Sequence, residues 1–266
     1  MNEIINFLSY LQSFRSVGGG ATTQDHLEFS EIGLKLSLIT AREFLPSLQN
    51  FARKIGLNLI KCEKMDASLP LTKAGEVFNS NKSDKSSRHR YDLVYQPIFE
   101  NLGFDSSSNI LEIGLGTNNS SFVSHMGAEA RPGASLFAYK ELFPNAQIYG
   151  ADVDENILFQ EERIKTGYVD QLKFETFQTM HNNFNNPQYD ILIEDGLHSI
   201  TASLNTLIFG LEAVKDGGYI ILEDLYNCHD VWNFIATLLH NSKIVESVKM
   251  FDSDGLMLVA KKSYRL

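Results

Sequence analysis

Two short runs carry the densest chemistry in this 266-residue chain: Asp195-Gly196-Leu197-His198 and, 28 positions after Asp195, Glu223-Asp224. Each follows an apolar stretch of strand length, Asp190–Ile193 and Tyr219–Leu222. In a doubly wound sheet the C-terminal ends of parallel strands open on one ligand-binding edge, so three carboxylates and an imidazole would converge there. Carboxylates brought that close repel, and one stays protonated unless a cation is shared. A divalent ion removes the conflict, and oxygen ligands with room for water suit Mg²⁺. A turn at Asp195-Gly196 and a solvated strand end at Glu223-Asp224 would use the same letters, so convergence is the point to be checked.

A second constellation lies upstream. Ile110-Leu-Glu-Ile-Gly-Leu-Gly-Thr117 is a short apolar strand with an acid, Glu112, running into Gly114 and Gly116. Glycine at those positions permits a tight turn and a close backbone approach to a ligand. The third glycine of a dinucleotide fingerprint is missing, Asn119 standing three residues after Gly116, so the turn alone also fits a plain strand-to-helix connection. Asp152 ends the next strand, 36 positions beyond Gly116, where an acid can accept hydrogen bonds from ribose hydroxyls. A pyrophosphate favours an uncluttered helix N-terminus, and Glu112 beside the turn suits a cationic ligand better. Asp170-Gln171 ends a third strand on the same edge.

Glu112-x-Gly114-x-Gly116 followed by Asp152 resembles the cofactor motifs of class I S-adenosylmethionine-dependent methyltransferases, over roughly residues 84–262. The resemblance implies Glu112, Gly114, Gly116 and Asp152 as cofactor-binding residues, with Asp170 and Gln171 at the adenine. The Asp-x-x-His and Glu-Asp runs are similar to those of a metal-dependent subgroup of sugar and macrolide-sugar O-methyltransferases, close in fold to cephalosporin hydroxylase. There the match implies Asp195, Glu223 and Asp224 as Mg²⁺ ligands and His198 as the base. Asp84-Lys85-x-x-x-His89-x-Tyr91 also resembles a segment that packs near the cofactor in those enzymes, and reads equally as a capped helix start. The same resemblance extends to enzymes that decorate bacterial capsules, including those that form O-methyl phosphoramidates. It leaves the acceptor open among sugar, nucleotide-sugar and phosphate-linked precursors of a surface polysaccharide or natural product. A hydroxylase of related fold, a nicotinamide oxidoreductase and a non-catalytic cofactor-binding subunit are the competing readings.

The elements that must hold these residues follow from the patterning. Beyond residue 84, strands at 110–113, 147–151, 165–169, 190–193 and 219–222 alternate with segments of helical length such as Ala134–Leu142 and Thr201–Val214. That alternation predicts an α/β, doubly wound, mostly parallel Rossmann-like sheet. Ile244–Met250 and Leu256–Lys261 flank Asp252-Ser-Asp-Gly255 as an antiparallel C-terminal hairpin. Upstream, apolar residues recur at helical spacing (Ile4, Phe7, Leu8, Leu11; Phe44, Leu45, Leu48, Phe51, Ile55), which predicts a small helical N-terminal region over 1–83 and a methyltransferase-like domain over 84–266. The polar run Asn79–Ser87 reads as a hinge between them. The apolar N-terminal helices would offer a symmetric surface for a homo-oligomer.

Composition narrows the class. With 23 Lys plus Arg against 33 Asp plus Glu the formal charge is −10, which argues against a duplex nucleic-acid binder. No apolar run approaches the ~20 residues of a membrane span, and Met1-Asn2-Glu3 carries an acid where a secretion signal is basic. Cys62 and Cys228 are the two cysteines and form no CxxC pair, so neither a disulfide framework nor a thiolate zinc site is expected. The chain reads as cytoplasmic. His125, His181, His229 and His240 have no matched partner and read as surface or core histidines. Arg131-Pro-Gly-Ala134 reads either as an acceptor-pocket wall or as a helix-entry turn, and Tyr226–Trp232 as a wall over the substrate.

Overall fold

The structure, a computed structural model, describes residues 50–57, 59–122, 124–225, 229–252 and 255–264. Most of the helical N-terminal region expected from the sequence therefore lies outside the described residues.

Among the described residues, nine strands form one sheet. In chain order they are β1 (Cys62–Lys64), β2 (Asn109–Ile113), β3 (Gln147–Asp152), β4 (Gln160–Glu161), β5 (Ile164–Tyr168), β6 (Tyr189–Glu194), β7 (Val214–Leu222), β8 (Val245–Asp252) and β9 (Leu256–Lys262). Their order across the sheet is β1-β8-β9-β7-β6-β2-β3-β5-β4. The run β7-β6-β2-β3-β5 is parallel, and β9 joins β7 and β8 antiparallel. The chain leaves β2 toward β3 on one side and later returns to β6 on the other, so the strand order reverses between β2 and β6. Ligands of open α/β sheets bind outside the strand ends at such a reversal.

The central strands are buried on both faces, as near-continuous apolar runs require. Leu111, Ile113, Tyr149, Leu192, Ile220 and Leu222 enter one core, with helices α5 (Phe174–Asn183), α6 (Ile200–Ala213) and α7 (His229–Asn241). Ile110, Ile148, Ile191, Ile193 and Ile221 enter the other, with α1 (Lys73–Ser80), α3 (Asp92–Leu102) and α4 (Ala134–Leu142). The alternation has the period of two that a strand dictates. Ser199 caps α6 by accepting from the Ala202 amide at 3.2 Å.

Three features depart from the sequence reading. The polar run 79–87 is no hinge: it ends α1 and then forms the one-turn helix α2 (Asp84–Ser87). Ser86 donates to the Gly75 carbonyl at 2.9 Å and to Asn79 Oδ1 at 2.8 Å, and Ser83, Lys85 and Ser86 are buried. Short polar side chains bonded to backbone can build a packed corner as well as a solvated loop. Nor do residues 59–83 stand apart, because β1 pairs with β8 and Ala74 and Phe78 share a core with Tyr95 and Tyr139. Thirdly, Trp232 lies in the core at 1% exposure rather than over a substrate, while Tyr226–Cys228 fall outside the described residues.

Candidate active site

The glycine turn does not lead straight into a helix. β2 ends at Ile113, and α4 begins only at Ala134, with Gly133 at its N-cap in a left-handed conformation (φ 71°). The intervening excursion is pinned at its base by the Gly133 amide donating to the Leu115 carbonyl at 2.7 Å. Both motif glycines sit in left-handed backbone, where a side chain is strained. At Gly114 (φ 98°) a Cβ would lie 2.1 Å from the Asp195 carbonyl oxygen, and at Gly116 (φ 75°) it would lie 1.9 Å from Met126 Sδ.

Asp152, at the end of β3, accepts from the Leu115 amide at 2.7 Å (Oδ2) and the Asp154 amide at 2.9 Å (Oδ1). It thereby ties the second strand end to the glycine turn, and burial raises its pKa. It also lines the main cavity. Gln171 is engaged within the protein. Its Oε1 accepts from the Leu197 amide at 2.8 Å, and its Nε2 donates to Glu194 Oε1 at 2.9 Å and Thr206 Oγ1 at 3.1 Å. It fixes the turn after β6, where a Cβ on Gly196 would meet it at 2.0 Å. Asp170 accepts from the Leu172 amide at 3.0 Å and pairs with Lys173 at 3.0 Å. Asp170, Gln171 and Leu197 line a small recess of about 40 Å³ that shares Gly114, Asp152 and Gly196 with the main cavity.

That main cavity, about 280 Å³, lies over the strand reversal. On its floor the two chemical runs converge. The Asp195 amide extends the ladder to the Ile113 carbonyl at 2.8 Å, and the Glu223 amide does so to the Glu194 carbonyl at 2.9 Å. His198 (φ 53°) and Asp224 (φ 52°) then turn back through left-handed backbone. Aspartate and histidine are among the residues found there more readily than most. Non-glycine residues held so, at roughly 1–3 kcal/mol each, cluster at functional sites. Asp195, His198 and Asp224 each bring a ligand atom within 4.8 Å of the others, a set that could hold a metal ion. His198 Nε2 lies 3.9 Å from Asp224 Oδ2, and His89 Nδ1 lies 3.8 Å from Asp224 Oδ1.

Glu223 faces the other side of the same floor. There the Lys85 ammonium, 2% exposed, reaches Glu223 Oε2 at 2.5 Å, Asp195 Oδ2 at 2.7 Å and Glu112 Oε1 at 2.9 Å. Burial alone would push the Lys85 pKa down, but the charges of Asp195, Glu112 and Glu223 more than reverse that and raise it well above normal. Burial likewise acts to raise Asp195, yet Lys85 and then His198 outweigh it and hold that carboxyl at about 2. Glu112 and Glu223 are raised, burial being the larger influence. Glu112 also accepts from the Ser135 hydroxyl on the first turn of α4.

The sequence reading singled out Asp84-Lys85-x-x-x-His89-x-Tyr91, and the structure brings Lys85, His89 and Tyr91 to this floor. It did not anticipate Tyr95 or Ser135. Tyr91 and Tyr95 lie one turn apart at the start of α3, and their hydroxyls donate to the consecutive acids Asp224 and Glu223. The i, i+4 spacing of two tyrosines was the available signal. His125, read as an unpartnered histidine, lines the cavity mouth with Lys82, Arg88 and Arg131. Gly133 caps α4, as the helix-entry reading of that tetrapeptide expects, and the Arg131 guanidinium stacks 4.2 Å over Phe137.

No protein-family profile matches the chain. Over 98 residues, 36% of this chain, it is 34% identical to mycinamicin VI 2''-O-methyltransferase of Micromonospora griseorubida, of which it covers 24%. The crystal structure of MycE methyltransferase from the mycinamycin biosynthetic pathway with Mg, SAH and mycinamycin VI superposes on 74% of the chain with a TM-score of 0.59 at 19% identity. The fold is that of the class I methyltransferases. A second MycE structure, with Mg and SAH, gives a TM-score of 0.58 over 73% of the chain, again at 19% identity. The chain spans little more than half of those MycE chains, 55% and 56%, and about a quarter of the curated relative. Within this methyltransferase fold, the glycine turn, Asp152 and the carboxylate floor occupy the strand ends on one edge of the sheet. Among the described residues no helix is long and apolar enough to cross a membrane.

Proposed function

We propose that the chain is an S-adenosylmethionine-dependent, Mg²⁺-dependent O-methyltransferase acting on a hydroxyl of a sugar or phosphate-linked acceptor. The observation that carries this reading is the convergence of Asp195, His198 and Asp224 on the floor of the cavity that also holds the Gly114–Gly116 turn. The carboxylate oxygens of Asp195 and Asp224 are donors of the kind that Mg²⁺ takes, and His198 stands beside them. Asp195, Glu223 and Asp224 are the proposed ligands, and Lys85 shares the first two. Gly114, Gly116 and Asp152 would hold the cofactor, with Glu112 near its cationic end and Asp170 and Gln171 around the small recess. A bound divalent ion would supply Lewis acidity at the acceptor oxygen.

The chain's own residues do the rest. A sugar hydroxyl is a very weak acid, so its proton must be taken as the methyl group is transferred. His198 Nε2 is the base that receives it. Asp224 Oδ2, 3.9 Å away, stabilises the resulting imidazolium and stays oriented by Tyr91 and His89. The walls hold acceptor and sulfonium in line, which converts an encounter into an intramolecular displacement.

The rim supports a phosphate-bearing acceptor in particular. Although the chain carries a charge of −10, the mouth of its cavity presents Lys82, Arg88, His125 and Arg131, and guanidinium groups match phosphate geometry. A precursor of a surface polysaccharide, phosphoramidate-linked ones included, fits that rim. The test is methyl transfer from labelled S-adenosylmethionine to paired neutral and phosphorylated sugars, with product mass as the readout. Methylation favouring the phosphorylated member supports the reading. Methylation of neither, with cofactor bound, would leave a non-catalytic binding subunit as the better account.

A further inference from the structure

The geometry points to Lys85 as a positioning residue that competes with the divalent ion and so sets its affinity. The inference rests on the metal site proposed above. Lys85 is buried at 2% exposure, and its Nζ lies 2.7 Å from Asp195 Oδ2, 2.5 Å from Glu223 Oε2 and 2.9 Å from Glu112 Oε1. Two of those three acids are proposed metal ligands. The ammonium donates hydrogen bonds to Asp195 and Glu223 and forms an ion pair with Glu112. The site thus carries its own fixed cation, placed against the same oxygens that a divalent ion needs.

The fold commits Lys85 to this place. Its helix, α2, has a single turn and is anchored by the two Ser86 hydrogen bonds to Gly75 and Asn79. The Lys85 carbonyl accepts from the Tyr91 amide at 2.8 Å. That bond couples Lys85 to the start of α3, whose Tyr91 and Tyr95 bind Asp224 and Glu223. One short corner therefore delivers a cation and two hydroxyl donors to the whole carboxylate floor. Two consequences follow. The ammonium holds Glu112, Asp195 and Glu223 in fixed rotamers, because each buried carboxylate needs a partner. It also repels and displaces a divalent ion, lowering affinity in return for a preset ligand geometry.

The sign of the predicted effect separates this role from simple structural support, since damage to a metal site weakens binding. Mn²⁺ titration followed by electron paramagnetic resonance on purified full-length protein is the direct test. Lys85→Met is expected to bind Mn²⁺ at least tenfold more tightly than the wild type, and Lys85→Arg, which keeps the charge, to stay close to the wild type. Should Lys85→Met fail to fold, Lys85→Met combined with Glu112→Gln removes one charge of each sign and gives the same readout, again tighter binding. Equal or weaker Mn²⁺ binding in the folded variant, while the wild type binds in a manner abolished by Asp224→Asn, overturns the role of Lys85 alone. No Mn²⁺ binding by either protein overturns both the metal site and this inference. Binding by the variant but not the wild type is the strongest form of the predicted result.

Discussion

At the scale of single residues, the division of labour on the cavity floor makes His198 separable from cofactor binding. Its imidazole faces Asp224, and it lines the main cavity rather than the small recess of Asp170 and Gln171. His198→Ala is therefore expected to lower methyl transfer by ~10²–10⁴, the usual worth of a general base, with affinity for SAH by calorimetry left largely unchanged. Comparable loss of SAH binding would contradict that assignment. Spacing made Asp195, His198, Glu223 and Asp224 legible in the sequence, because strand ends on one edge must converge. What spacing could not show was which atoms face which. Glu223 turns toward Lys85 and Tyr95, while His198 joins Asp195 and Asp224, and those choices depend on left-handed backbone at His198 and Asp224 that no pattern of letters announces. Lys85 illustrates the same limit, since a lysine in a polar run reads as solvated until the fold buries it.

At the scale of elements, the joint between β2 and β6 is the most constrained part of the site. A Cβ on Gly114 would meet the Asp195 carbonyl at 2.1 Å, and that carbonyl belongs to the backbone that presents the proposed metal ligand. Gly114→Ala should lower stability by at least the ~1–3 kcal/mol of a strained backbone, seen as a lower urea midpoint, and should abolish SAH binding. An alanine variant with unchanged midpoint and binding would show that the joint gives way freely. Strand and helix periodicity made the parallel core, α4, α6 and the β8–β9 hairpin readable. The excursion between Leu115 and Gly133 was not, because a Gly-x-Gly turn ordinarily leads directly into a helix and loop length leaves no periodic trace. The helical corner at 79–87 was missed for the complementary reason: its polar residues are satisfied by backbone and buried acids instead of water.

At the scale of the whole molecule, buried acids shape the response to pH. Burial raises the pKa of Asp152 and of Glu112 from their ordinary values. The folded state then holds more protons than the unfolded state between the two values, so stability falls as pH rises through that window and levels off above it. Asp152→Asn is expected to flatten that part of the decline in thermal midpoint measured from about pH 4 upward. A variant whose profile retains the full wild-type slope would show that Asp152 contributes nothing to it. The same scale links the net charge of −10 to the cavity, with acids on its floor and basic residues among its exposed lining.

The central claim is that one cavity binds both an adenosylmethionine-type cofactor and a divalent ion. Calorimetric titration of SAH into the purified protein, with Mg²⁺ and then with a chelator, tests it most directly. Saturable SAH binding, together with a separate Mg²⁺ heat that Asp224→Asn removes, is the predicted result. Absence of SAH binding under both conditions would contradict the account.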